Sequence, residues 1–228
     1  MVEQEDWEKL IDRLVKQDIL RSPQVIKAMR MVPRTIFLPT DMQSYTATDT
    51  PLPIGSGQTI SAPHMVSIMN EALKLEVGNK ILEVGAGSGW HSATLAEIIA
   101  SNNTPHSEWG HVYTIEIVTP LAKTARKNIV NAGYGDRVTI ITGDGSIGYP
   151  EKAPYDRVLV TAAAPKVPKA LVDQLKIGGI LIIPVGTPFM YQTLIKLTKQ
   201  SDGKIKEENL GGVSFVPLTG EYGHKLLH

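Results

Sequence analysis

Residues 80–91 read KILEVGAGSGWH, and this stretch decides the fold. Lys80–Val84 is a short apolar run of strand length. Glycines follow at 85, 87 and 89, and WHSATLAEIIA (90–100) has the composition of a helix. A strand that turns on glycines into a helix is the opening unit of an open α/β sheet. Glycine there allows positive φ and lets a ligand approach the backbone with no Cβ in the way. The spacing is G-x-G-x-G, not the G-x-G-x-x-G of dinucleotide enzymes. Taken alone, the turn is a weak signal, and a purely structural strand-to-helix connection is its competing reading.

Downstream of the turn, HVYTIE (111–116), RVTII (137–141), YDRVLVT (155–161) and ILIIPV (180–185) are further short apolar runs separated by helical segments. A helix opening at Thr119–Pro120 carries Leu121, Ala125 and Ile129 on one face, with Gly133 as its stop. PKALVDQLK (168–176) is expected to be a short helix ended by Gly178–Gly179. This alternation predicts a mostly parallel sheet covered on both faces. TLIKLTK, SDGK and KIKEENL (193–210) predict a closing hairpin on an Asp-Gly turn.

Upstream, Trp7, Leu10, Ile11, Leu14 and Val15 fall at helical spacing. A second helix is expected from Ser22–Pro23, with Ser22 as its cap and Val25, Ile26 and Met29 buried. The proline-punctuated stretch 39–61 lacks steady periodicity and reads as a long loop, of a length that is usually functional or disordered. SNNTPHSEWG (101–110) reads as a polar surface insertion. We expect one domain over 1–228: a covering segment at 1–61, an α/β core at 62–200 and a tail at 201–228.

Composition narrows the function. The 228 residues hold 23 basic and 23 acidic side chains, so there is no global attraction to polyanions. Cysteine is absent, which removes disulfides, thiolate nucleophiles and cysteine metal sites. No His/Glu cluster has metal-ligand spacing, so no metal is expected. The start, MVEQEDWEKL, is acidic and amphipathic, unlike a signal peptide, and no apolar run approaches a membrane span. A cytoplasmic protein, favoured as a monomer and without nucleic-acid or membrane partners, is the expectation.

Acidic residues stand at successive strand ends, the edge where such sheets bind ligands. Glu116 closes the second core strand and can accept two ribose hydroxyls through its paired oxygens. Glu83 precedes the turn and can orient an ammonium group, directly or through water. Asp144, in GDG (143–145), can accept from an adenine amino group. The set suits an adenosine with free ribose hydroxyls and does not by itself separate dinucleotides from S-adenosylmethionine.

ILEVGAGSGW, VYTIE, GDG, APYDRVLVTAAAP and LIIPVG follow in the order of the class I S-adenosylmethionine-dependent methyltransferase motifs, which they resemble. More narrowly, PLPIGSGQTISAPHM (51–65), GDGSIGYPEKAPYD (143–156), QLKIGGILIIPVG (174–186) and VSFVPLTGEYG (213–223) resemble the protein-L-isoaspartate O-methyltransferase family. The likeness runs from about Ser22 to Tyr222. It implies a doubly wound, mostly parallel seven-stranded sheet with an antiparallel C-terminal hairpin, and S-adenosyl-L-methionine as cofactor. The implied substrates are isoaspartyl-containing proteins and peptides. Trp90 stands where the family usually has Tyr, Ile or Trp. His91 replaces Asn, Gln or Leu and is read as a helix residue near the cofactor, not as a catalytic base. The insertion around Trp109 also departs from the family.

The resemblance implies methyl transfer to the α-carboxylate of an L-isoaspartyl residue. Such a carboxyl titrates near ~3.5 and is already ionised at neutral pH, so alignment replaces general-base chemistry. Ser61 is expected to contact the reacting carboxylate, although a helix cap for the segment after it is the plainer role. Thr59, Ile60, His64, Glu83, Gly85, Ala86, Gly87, Ser88, Gly89, Glu116, Asp144, Gly145 and Thr219 are the expected cofactor residues. Ile54, Val213 and Phe215 are expected on the substrate side. Competing readings are a methyltransferase for RNA or a small molecule, a non-catalytic nucleoside-binding module, and a nicotinamide dehydrogenase. The charge balance weighs against the first and the glycine spacing against the last.

Overall fold

The computed structural model describes residues 2–188 and 190–225, with side chains described from residue 5 onward. The seven main strands are β3 (Lys80–Val84), β4 (His111–Glu116), β5 (Val138–Thr142), β6 (Tyr155–Val160), β7 (Leu175–Gly186), β8 (Gln192–Lys199) and β9 (Ile205–Val213), numbered after a small upstream pair. They are arranged in the order β5-β4-β3-β6-β7-β8-β9. The first five run parallel, and β8 and β9 are antiparallel to their neighbours. The chain leaves β3 toward β4 and β5, then returns to β6 on the other side. That reversal beside β3 is the switch point at which open α/β sheets bind ligands.

Alternation along β3 divides the interior. Ile81 packs into one apolar cluster, whereas Leu82 and Val84 pack into another on the opposite face. Helices α1 (Val2–Lys16), α2 (Pro23–Met31), α3 (Pro63–Leu73), α4 (Trp90–Ile99), α5 (Thr119–Asn131) and α6 (Lys169–Asp173) cover the sheet. Every residue of α4 is buried, so its lack of an amphipathic stripe is the pattern of a helix enclosed by other elements. α5 buries Leu121, Ala125 and Ile129 as expected and stops before Gly133, whose φ is 82°.

Several expectations change. Val15 is 37% exposed, while Trp7, Leu10, Ile11 and Leu14 are buried. Ile26 is only partly buried beside Val25 and Met29. Ser22 makes no cap hydrogen bond, because its hydroxyl donates instead to Glu71 Oε2 at 2.6 Å. α6 ends at Asp173, and Gly178–Gly179 lie within β7. There the pairing jumps from Tyr155–Leu175 to Arg157–Ile180, so these glycines form a bulge, with Gly178 at φ 77°.

The 39–61 stretch contains a 3₁₀ turn over Thr40–Tyr45 and the hairpin β1 (Leu52–Gly55) and β2 (Gln58–Ile60). Its organiser is Arg34, which is fully buried. The guanidinium donates to the carbonyls of Thr46 (2.9 Å), Thr50 (2.9 Å), Tyr45 (3.2 Å) and Ser61 (3.3 Å), and also to that of Thr48. Burial lowers its pKa to about 10, against the opposing field of Asp49. Trp109 anchors the 101–110 insertion: its indole donates to Thr104 O at 2.9 Å, and the Arg137 guanidinium lies 4.7 Å from its ring centroid.

Candidate active site

The glycine turn is held from both neighbouring strands. Gly85 N donates to Ile115 O at 2.8 Å, and the Thr161 hydroxyl donates to Gly85 O at 2.7 Å. Gly85 has φ 97°, and a Cβ there would sit 2.4 Å from Thr161 Oγ1, so glycine is required on both counts. Glu116 is buried and accepts from Gly87 N through Oε2 (2.8 Å) and from Val118 N through Oε1 (2.9 Å). Each carboxylate oxygen retains acceptor capacity. That capacity borders a cleft walled by Ile115, Ile117, Gly145, Leu218 and Thr219. The cleft therefore joins an apolar slot to paired acceptors, a donor–acceptor set that fits a nucleoside.

Behind the turn, a smaller cavity is lined by Ile60, Ser61, Gly85, Ala86, Gly87 and Ser88, with Trp90 and His91 at its back. The Ser88 hydroxyl is buried without a hydrogen-bond partner among the described residues. Orphaned buried hydroxyls are uncommon, and one facing a cavity suits a polar ligand. His91 is held by Asn70 Oδ1 at 3.0 Å, and Asn70 Nδ2 donates to Thr94 Oγ1 at 3.2 Å. The Asn70 oxygen must accept, so His91 Nε2 carries the proton. Burial pushes the His91 pKa down to about 3, which keeps the ring neutral.

Asp144 and Glu83 sit differently from the other acids. Asp144 Oδ1 accepts from Ser146 N (2.8 Å) and Oδ2 from Glu221 N (2.7 Å), so the carboxylate latches the C-terminal segment onto the turn after β5. Gly220 makes the latch possible, since a Cβ there would lie 2.1 Å from Asp144 Oδ1. Glu83 is fully buried and bound by the Ser92 hydroxyl, behind the turn and away from the walls of these cavities. Burial raises its pKa to about 7, opposed by Ser92 and Thr114. Gly89 starts α4 close to α5, where a Cβ would meet Ile129 at 3.1 Å, and Ile54 supports Gly87 from below. Neither Gly89 nor Ile54 lines either of these cavities or the open groove beside Ser61.

Thr59, Ser61, His64, Val213 and Phe215 come together in an open groove of about 690 Å³ on the other side of Ser61. Ser61 and Thr161 line both this groove and the cavity behind the glycine turn. Ser61 does not cap α3: Ala62 is the N-cap residue, and no side-chain cap bond is made. The tail is irregular after β9. The buried Gln192 amide fixes it by accepting from Phe215 N (2.6 Å) and donating to Phe215 O (2.9 Å).

Thr161, Ile117 and Gln192 were not singled out from the sequence. Thr161 follows the strand run YDRVLV, so the strand-end rule that selected Glu116 applies to it equally. Gln192 carries no local signal, because its role depends on a partner 23 residues away. Among the described residues, no three His, Asp or Glu side chains are placed to hold a metal ion. No helix among them is long and apolar enough to cross a membrane.

Known proteins are similar to this chain in sequence and fold. The chain is 53% identical over 224 residues to a protein-L-isoaspartate O-methyltransferase of Hyperthermus butylicus, covering 96% of this chain and 92% of the relative. It is 50% identical over 218 residues to that of Thermococcus sibiricus, covering 95% of each. Among solved structures, it is similar to a Plasmodium falciparum chain described as a protein-L-isoaspartate O-methyltransferase in complex with S-adenosyl-L-homocysteine. The TM-score is 0.80 at 28% identity, covering 93% of this chain and 98% of that one. A family model, "Protein-L-isoaspartate(D-aspartate) O-methyltransferase (PCMT)", matches residues 5–223. With the doubly wound sheet, the glycine turn and the hydroxyl loop in that order, the chain belongs to the protein-L-isoaspartate (D-aspartate) O-methyltransferase family.

Proposed function

We propose that this chain methylates the free α-carboxylate of L-isoaspartyl residues in damaged proteins and peptides, using S-adenosyl-L-methionine. The observation that carries the reading is the position of Ser61, a wall shared by the peptide-sized groove and the cavity at the glycine turn. A carboxylate entering from one side meets there a methyl donor held from the other. We read the chain as one methyltransferase unit, monomeric and cytoplasmic, acting without nucleic acid or membrane.

S-adenosyl-L-methionine supplies a methyl group made electrophilic by its sulfonium. Glu116 accepts from the ribose hydroxyls through the lone pairs that Gly87 N and Val118 N leave open. Ile117, Gly145, Leu218 and Thr219 enclose the base, and Asp144 accepts from its amino group beside the latch it forms. Thr59, Ile60, Ala86 and Ser88 border the amino-acid end, with Ser88 Oγ as a free polar partner. Glu83 backs the turn and acts on the ammonium through intervening groups. The Ser61 hydroxyl orients the substrate carboxylate, while Val213 and Phe215 shape its side of the groove and Ile54 packs beneath Gly87.

No proton needs to be removed. A carboxylate of pKa ~3.5 is already the nucleophile at neutral pH, and placement in line with the methyl group does the work. Carboxylate and sulfonium neutralise each other as the oxygen–carbon bond forms and the carbon–sulfur bond breaks, so a water-poor site favours transfer. The methyl ester then loses methoxide to attack by the neighbouring backbone nitrogen. The resulting succinimide hydrolyses partly to normal aspartate without further catalysis. Mass spectrometry of an isoaspartyl peptide incubated with enzyme and cofactor tests the sequence. A transient methyl ester followed by succinimide is expected; methylation at another atom would contradict it.

A further inference from the structure

Asp49 lies in the 46–50 loop that Arg34 holds in place, and one of its oxygens serves two groups on the same residue. Asp49 Oδ1 accepts from His64 N at 2.9 Å and lies 3.0 Å from His64 Nδ1. The first bond satisfies an orphan amide in the opening turn of α3, where the N-cap residue Ala62 offers no side-chain acceptor. The second is not needed for capping. A carboxylate oxygen only accepts, so Nδ1 must be the donor and Nε2 is left as the free ring nitrogen. The surrounding charges are Arg13, 3.8 Å from Asp49 Oδ2, and Arg34, whose field also acts on Asp49. His64 is part of the groove wall next to Ser61 and Thr161, the two residues that also border the glycine-turn cavity.

We propose that Asp49 is a positioning residue for His64. It fixes Nδ1–H as the donor and turns Nε2 toward the amino-acid end of the cofactor, where that nitrogen accepts from the ammonium group. The inference rests on the cofactor reading above. It adds a residue from a loop 15 positions upstream, held to the site through Arg34 and not through the glycine turn.

Two measurements test it. Nitrogen-15 NMR of the histidines in the free protein should show His64 protonated at Nδ1, and Asp49→Ala should release it toward the Nε2–H form. Binding should be measured in parallel for S-adenosylhomocysteine and for 5′-methylthioadenosine, which lacks the amino-acid end. Asp49→Ala and His64→Ala should each lower the preference for S-adenosylhomocysteine by about tenfold, and the double variant should lower it no further. Asp49→Asn, whose amide oxygen still accepts, should restore most of the preference and the Nδ1–H signature. An Nε2–H ring in the wild type, or an unchanged preference in a folded Asp49→Ala protein, would overturn the proposal. Wild-type protein that bound neither compound would instead sink the cofactor reading itself.

Discussion

Glu116 at the end of β4 accepts the amide of Gly87 at 2.8 Å, so the acid that faces the nucleoside cleft also fixes the glycine turn of β3. Its other oxygen holds Val118 N. Glu116→Ala should therefore weaken S-adenosylhomocysteine binding by about 1–3 kcal/mol, measured calorimetrically. Unchanged affinity would remove Glu116 from the site.

Glycine is required in two different senses at two turns. Gly57 has φ 69° with nothing within 4 Å of a built Cβ, whereas Gly85 combines φ 97° with the Thr161 hydroxyl at 2.4 Å. Gly57→Ala should cost about 1 kcal/mol of unfolding free energy from backbone strain alone. Gly85→Ala should cost about 3 kcal/mol and weaken cofactor binding as well. Equal losses in denaturant titrations would show that the close approach to Thr161 is unimportant.

Glu83 makes a signed prediction for pH. Its pKa is about 7 in the folded chain against 4.5 when unperturbed, and burial is the cause. Across that window the folded state retains a proton that the unfolded chain has released, so stability falls as pH rises from 4.5 to about 7. Glu83→Gln should match the wild type below the window and exceed it by about 3 kcal/mol above it. His91 contributes in the opposite direction. With its pKa lowered from 6.5 to about 3, it withdraws stability as pH falls through that range. The difference between variant and wild type isolates Glu83, and a flat difference across pH would contradict its burial as an ionisable group.

Arg34 supports the 46–50 loop and the carbonyl of Ser61 at once. Lysine cannot reach these diverging acceptors with a single ammonium. Arg34→Lys should cost about 3 kcal/mol and speed amide exchange across 45–50. Protection equal to the wild type would show that the loop is held by other contacts.

The strand runs and the glycine turn were readable because buried parallel strands are short, apolar and punctuated, and β3, β4 and β6 each follow that pattern. Glu116, Gly145 and Thr219 were readable as cleft residues because strand ends and family motifs mark them. Long-range polar partners were not. Asp144 reads from the sequence as an acceptor for a ligand, but nothing local announces that its oxygens also meet the amides of Ser146 and Glu221, the latter 77 residues on. Glu83 looks accessible beside its turn, but strand alternation sends it inward to Ser92. Gly178–Gly179 resembled a helix stop because a bulge and a cap draw on the same conformational freedom of glycine.

Ser61 carries the chemical reading, and its hydroxyl makes no cap bond to α3. Ser61→Ala should lower methyl transfer while leaving S-adenosylhomocysteine affinity within about twofold, and helix stability should change little. A fully active variant would return the residue to a packing role.

The most direct measurement pairs two peptides of identical sequence, one with an L-isoaspartyl linkage and one with a normal aspartyl linkage, and follows S-adenosylhomocysteine release from each. Release only with the isoaspartyl peptide is the predicted result. Equal turnover of the two peptides would contradict it.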